Sequence, residues 1–357
     1  MFITDATHLY QIMNCNGSRL LPNHERPTED DTTLREEGNA AHWLAQEAFE
    51  GRVDINSIRD DLRAKNGVMV TVFMFEHVRE YLLNLYPGEM ETVTTWGLEG
   101  FQINGRADHI GYNRNDDILD IDDFKYGYSI VEPEMNWTLV SHAIGWAIKW
   151  NHWPTWTRIR IHQPRPYHPN GHTREWVISR DQLHALYQQI VATMSNPDDV
   201  LRTGTHCYKC SKLGNCPAAR QANMNAVDVQ MHAFTDQLDN AALADELSLV
   251  EHGFKMLEKR RDALKDMARH RREHGEIIPG YELERTYSNR SWHKWLTPEM
   301  AAVLLGRDMS VAKLPSPSEA KARGVPELMI NALTTRFESG VKLVPVDVDA
   351  KVKRMLK

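Results

Sequence analysis

Residues 105–127 alternate in a way that leaves few structural options. An apolar–polar period of two runs through Ala107, Ile110 and Tyr112, stops at Arg114-Asn115-Asp116-Asp117, and resumes at Ile118-Leu119-Asp120-Ile121-Asp122-Asp123-Phe124-Lys125. Two strands joined by a polar turn satisfy that pattern. On a strand, residues two apart share a face, so Leu119, Ile121, Asp123 and Lys125 point one way. If the loop is residues 114–117 and Asn113 pairs with Ile118, Asp108 falls opposite Asp123. Facing carboxylates repel each other. A divalent cation between them removes the repulsion and takes hard oxygen ligands, as Mg²⁺ and Mn²⁺ prefer. Lys125 beside the pair supplies a cation for negative charge that develops there. A slip of one residue would put the carboxylates on opposite faces, so the chemistry depends on this register.

Around the hairpin the sequence predicts a short helix near Leu9, Ile12 and Met13, a helix from Thr33 to about Gly51, and another from Val70 to Leu82 that ends at Pro87-Gly88. Strand-like patterning begins at Glu91. After Gly127 come a helix over 134–150, a strand Arg158–His162 and a helix over 179–194. Hairpin, helix, strand and helix in that order suggest a small mixed α/β core. Beyond Cys216 the composition turns rich in Ala, Leu, Lys and Arg, which predicts a helical pair over 223–273 followed by short strands and helices. These features divide the chain into a first domain, 1–220, and a C-terminal α+β region, 221–357.

Composition excludes several classes. With 357 residues, 41% hydrophobic and 25% charged, the chain can build a core and is not globally disordered. A net charge of −7 is not that of an overall basic nucleic-acid binder. No long apolar run marks a signal peptide or membrane span, and no GxxxxGKS/T segment marks a nucleotide motor, so neither membrane nor ATP is expected. Four cysteines are too few for a disulfide scaffold, and a cytoplasmic protein is expected. They fall as Cys15, then Cys207-x₂-Cys210-x₅-Cys216, and four thiolates suit either Zn²⁺ or an iron–sulfur cluster. A local basic surplus lies between Lys255 and Glu273, where helical spacing puts Lys265, Arg269 and Arg272 on one face to track phosphates. Arg165, just past a strand end, is another candidate phosphate contact.

Gly105-Arg106-Ala107-Asp108, the hairpin, and Asp123-Phe124-Lys125-Tyr126-Gly127 together resemble the catalytic hairpin of RecB-like PD-(D/E)xK nucleases. Glu37-Gly38-Asn39-Ala40-Ala41-His42 matches the EGxxxH segment of that class, which implies His42 as a metal ligand beside Asp108 and Asp123. The cysteine arrangement is similar to the 4Fe–4S staple of iron–sulfur RecB-like nucleases, including the CRISPR-associated exonucleases and the AddB-type helicase–nucleases. Further segments, among them Asn14–Ser18, Gln163-Pro164-Arg165 and the stretch from His206 to Arg220, follow one another as in a phage and prophage family of RecB-like proteins.

The resemblance implies an α/β fold: a restriction-endonuclease-like core with a central mixed sheet flanked by helices, a 4Fe–4S staple and a C-terminal extension. It implies a DNA exonuclease acting on linear DNA in phage replication, recombination or DNA processing, hydrolysing phosphodiesters with Mg²⁺- or Mn²⁺-activated water. Asp108, Asp123 and Lys125 would be catalytic. The expected partners are DNA and a phage single-strand-annealing or recombination protein, in the host cytoplasm if the chain is phage-encoded. The sequence departs from the class at QxxxY, where Thr138 and His142 stand, leaving His142 or Gln163 to take over the contact with DNA. That departure supports a rival expectation, a non-catalytic DNA-binding or recombination scaffold on a degenerate nuclease fold.

Overall fold

The computed structural model describes residues 1–25, 33–59, 61–196, 198–230, 240–287, 291–293, 296–305, 316–322, 324–335 and 338–345. In chain order the first part comprises β1 (Phe2–Asp5), α1 (Leu9–Asn14), α2 (Thr33–Phe49), α3 (Val72–Leu83), β2 (Gly88–Val93), β3 (Trp96–Leu98), β4 (Phe101–Asn104), β5 (Arg106–Asn113) and β6 (Ile118–Phe124). It continues through α4 (Trp137–Lys149), β7 (Trp156–His162), β8 (Thr173–Ser179), α5 (Arg180–Ser195), α6 (Pro217–Gln230) and α7 (Asn240–Glu273).

Strands β2, β5, β6, β7 and β8 form one five-stranded sheet in that order. Every pairing is antiparallel except β6 with β7, which α4 joins as a crossover. The hairpin has the register that its turn length predicts, from Asn113 opposite Ile118 to His109 opposite Asp122. Leu119 and Ile121 face a core with Val140, Ala143 and Ile144 of α4 and Leu183 and Ile190 of α5. Phe124 and Tyr126 pack instead with Ala41 and Leu44 of α2 and Phe75, Val78 and Tyr81 of α3. The sheet is therefore mixed and covered by helices on both faces.

Side chains set the helix starts. Thr71 accepts from Met74 N, Asn136 accepts from Leu139 N, and Ser179 and Gln182 make a reciprocal capping box at α5. The turn has its own anchor. Asp117, at φ +52°, accepts hydrogen bonds from Tyr112 Oη (2.8 Å), Thr155 N (2.8 Å) and Arg180 Nη2 (3.1 Å), and is 2.7 Å from His152 Nε2. Two strands escape the sequence reading. β1 pairs in parallel with β4 in a small second sheet, and β8 forms an edge of the main one.

The chain divides into two compact units, residues 1–24 with 30–261, and residues 25–29 with 262–357. The division falls inside α7 and not near residue 220. The reason is that α7 is tied to the segment around the cysteines: Arg260 donates to the carbonyls of Leu213 and Cys216, and Tyr208 Oη lies 2.7 Å from His252 Nδ1. The second unit is α+β. Its described residues hold the antiparallel pair β9 (Tyr281–Tyr287) and β12 (Glu338–Pro345), the short pair β10 (Ser291–Trp292) and β11 (Thr334–Thr335), and three short helices around Leu296, Ala301, Ala320, Val325 and Ile330. Among the described residues no helix is long and apolar enough to cross a membrane.

Candidate metal centre

The site forms where the hairpin's apolar face becomes charged. β5 contributes Asp108, β6 contributes Asp123, and Lys125 follows the end of β6. Asp108 Oδ2 accepts from Phe124 N at 2.8 Å, which ties this carboxylate to the neighbouring strand. Lys125 N donates to His162 O at 2.8 Å, so the lysine is held by β7 although it lies past the strand end. Lys125 Nζ donates to Asp123 Oδ1 at 2.7 Å. The other oxygen, Asp123 Oδ2, is buried and has no hydrogen-bond partner. Across from the strands, α2 brings His42 Nδ1 to 3.5 Å from Asp108 Oδ2, with the His42 ring against Phe124.

Burial pushes the Asp108 carboxyl above its ordinary range; His42 opposes that shift and the charge of Asp123 adds to it. Burial acts on Lys125 in the opposite sense, but Asp123 and Asp108 outweigh it and hold the ammonium above its ordinary value. The lysine is thus a standing cation beside two carboxylates.

Asp122 points to the other face of the sheet. It is fully buried, accepts from Arg160 Nη2 at 3.0 Å, and is bonded to His109 Nδ1 (3.0 Å) and His162 Nε2 (2.7 Å). Burial favours its neutral form, yet these partners hold the carboxyl well below the usual range. The network joins β5, β6 and β7 at the residue next to Asp123.

The residues expected to touch DNA are placed differently. Thr138 Oγ1 donates to Ala6 O at 3.3 Å. His142 is buried, 2.8 Å from Thr94 Oγ1, and burial lowers its pKa to about 4. Gln163 is fully buried; its amide donates to Gly127 O and Ser129 O and accepts from Val131 N and Arg174 Nη2. Gln163 and His142 are too deep to contact a nucleic acid. Gln163 instead braces the loop that follows Lys125, and His142 packs beneath Gly105. Arg165 lies 4.5 Å from the Tyr126 ring centroid and 4.4 Å from that of Tyr128, and donates to Glu37 at 2.7 Å. In the second unit Lys265 is exposed, whereas Arg269 donates to Glu273 and Arg272 to Glu276 O. The expected phosphate-tracking face therefore has two of its three cations engaged locally.

One residue near the site carries no motif. Ligand atoms of Glu91, His42 and Asp108 lie within 4.8 Å of one another, the one such His/Cys/Asp/Glu group among the described residues. No sequence pattern marks it: only the observed β2–β5 ladder, in which Met90 faces His109 and Thr92 faces Ala107, brings Glu91 level with Asp108.

The four cysteines are a separate feature: they influence one another electrostatically, but no three of their sulfurs lie within 4.8 Å of one another. All four are reduced and buried. Backbone amides point at three of the sulfurs: Arg202 N to Cys15 Sγ (3.3 Å), Lys212 N to Cys210 Sγ (3.4 Å) and Ala219 N to Cys216 Sγ (3.5 Å). Burial pushes the Cys207 thiol up to about 11, and the nearness of Cys210, Cys216 and Cys15 adds to the shift. The fold has brought Cys15 to the three downstream cysteines. A bound metal cation would act on the Cys207 thiol in the opposite sense, by stabilising its thiolate.

Fold and site together define a mixed α/β protein with helices on both sheet faces, a His–carboxylate group at the sheet and four buried cysteines. The chain belongs to the DUF2800 family, proteins of unknown function, which matches residues 10–314 and so takes in His42, the hairpin and all four cysteines. No curated protein matches the chain.

Proposed function

We propose that the protein is a metal-dependent DNA nuclease of the RecB-like PD-(D/E)xK class, an exonuclease that degrades linear DNA in phage replication, recombination or DNA processing. The observation that carries this reading is the buried, unpartnered Asp123 Oδ2 beside Asp108, with Lys125 on the other oxygen of Asp123. A buried carboxylate oxygen left without a partner is costly, and a cation relieves it.

The donor types suit Mg²⁺ or Mn²⁺: Asp108, Asp123 and His42 would hold the ion, although Asp123 falls outside the group whose ligand atoms lie within 4.8 Å of one another. Bound there, it polarises phosphoryl oxygens and acidifies water. Lys125 offsets negative charge at the reacting phosphate. His42 and Asp108 stay aligned because α2 and the Phe124 amide fix them before substrate arrives. Buried His142, neutral near pH 7, forms part of the wall and adds no charge to the site. For the cysteines we propose a 4Fe–4S cluster with a structural role, clipping the segment around residue 15 to that around 216.

Anaerobically purified protein is expected to be brown, with the broad visible absorbance of iron–sulfur charge transfer, and to degrade linear but not closed circular DNA with Mn²⁺. Asp123→Ala should lower the rate by about a hundredfold or more. A variant that digests DNA as wild type does would remove the proposed active site, and colourless protein containing zinc would remove the cluster. Protein that binds DNA without cleaving it under any divalent metal would favour the scaffold reading.

A further inference from the structure

We infer that Glu91 is a further ligand to the divalent ion, completing a His42–Glu91–Asp108 set that no motif assigns. The inference rests on the metal-dependent reading above and specifies its ligands. A regular β2–β5 ladder would set Glu91 directly opposite Asp108, since Met90 faces His109 and Thr92 faces Ala107. Two carboxylates in that position repel. The backbone departs from the ladder at this residue, with Glu91 at φ +52°, a conformation uncommon for a non-glycine residue in a strand. Despite the repulsion, ligand atoms of Glu91, Asp108 and His42 come within 4.8 Å of one another.

The nearest competing explanation is Arg106, whose Nη1 lies 3.6 Å from Glu91 Oε2. That guanidinium side chain is 66% exposed, and exposed ion pairs are weak, so it does not account for three ligand groups converging. A separate observation points the same way: Asp123, whose charge acts on Asp108, has its Oδ2 buried without a partner. Three carboxylates stand here against Lys125 and the largely exposed Arg106, an excess of negative charge that a bound cation relieves. The Glu91, Asp108 and His42 side chains keep 26%, 18% and 30% of their exposure, so solvent and substrate can reach an ion between them. An imidazole with carboxylates suits Mn²⁺ better than Mg²⁺.

The test is Mn²⁺ binding to metal-free, full-length protein, followed by loss of the free-ion EPR signal, with no turnover involved. Wild type should bind, and Asp108→Asn should abolish that binding. Glu91→Gln, which removes only the charge, should weaken Mn²⁺ by about tenfold or more without lowering the melting temperature of the metal-free protein. Glu91→Asn, which tolerates positive φ but has a shorter reach, should do the same. Wild-type affinity in both Glu91 variants, with binding lost in Asp108→Asn, would overturn the role of Glu91 and leave the Asp108 site standing. No Mn²⁺ binding by wild type would overturn both.

Discussion

His142 remains uncharged down to a pH of about 4 because burial leaves no water to solvate an imidazolium. In the unfolded chain it protonates near its ordinary value of 6.5. As pH falls from neutrality the unfolded state therefore takes up this proton first, and stability declines between those two values. Urea unfolding of wild type should lose about 2 kcal/mol from this residue between roughly pH 7.5 and pH 5. His142→Gln should remove that part of the acid sensitivity, and an unchanged pH dependence in the variant would refute the assignment. Lys125 lies a short distance away under the opposite influence: its neighbouring carboxylates keep it charged in spite of burial. Lys125→Met, which keeps the length and loses the charge, should reduce hydrolysis more than it reduces Mn²⁺ binding, a contrast visible when both are measured on one preparation.

The hairpin β5–β6 is held at both ends by different means. At the site end the Asp108–Phe124 bond and the Lys125–His162 bond lock it to its neighbours. At the turn end Asp117 gathers donors from β5, from the segment before β7 and from α5. Burial opposes charge on Asp117, but Thr155, His152 and Tyr112 overcome it and hold the carboxyl well below its usual range. Its contribution is therefore present above the usual carboxylate range and is lost as pH falls below it. Asp117→Ala should destabilise the protein by about 2 kcal/mol at neutral pH, read from denaturant midpoints. A loss near zero would show that the surrounding ladder holds the turn without it. The same element shows what a sequence can reveal. Turn length and a period of two were enough to pair Asn113 with Ile118, because both are properties of some twenty consecutive residues. β8 shows the opposite case: the reading over Thr173–Ser179 found no strand, and what defines it is its place as partner to β7.

Across the molecule, the fold brings Cys15 near the cysteines at 207, 210 and 216, close enough for their charges to act on one another. If these hold a metal cluster, Cys15→Ser should lower bound iron, reduce the melting temperature by several degrees and make the segment near residue 200 sensitive to protease, since loss of a ligand removes folding energy as well as metal. Full stability with no iron would show that the thiols pack as an ordinary core. The division of the chain at residues 261–262, where composition had suggested 220, has a related cause: Arg260 and His252 of α7 bond to the cysteine segment, so the helix starts as part of the first unit. The amino-acid order alone specified the hairpin register, the approximate spans of α2 to α5 and the spacing of the cysteines, since each depends on periodicity and turn chemistry within one stretch of chain. Folding in three dimensions placed Glu91 beside His42 and Asp108, buried Gln163 as a loop brace and engaged Arg269 and Arg272 locally. Those outcomes depend on which surfaces pack together across the sheet, and no local pattern carries that information.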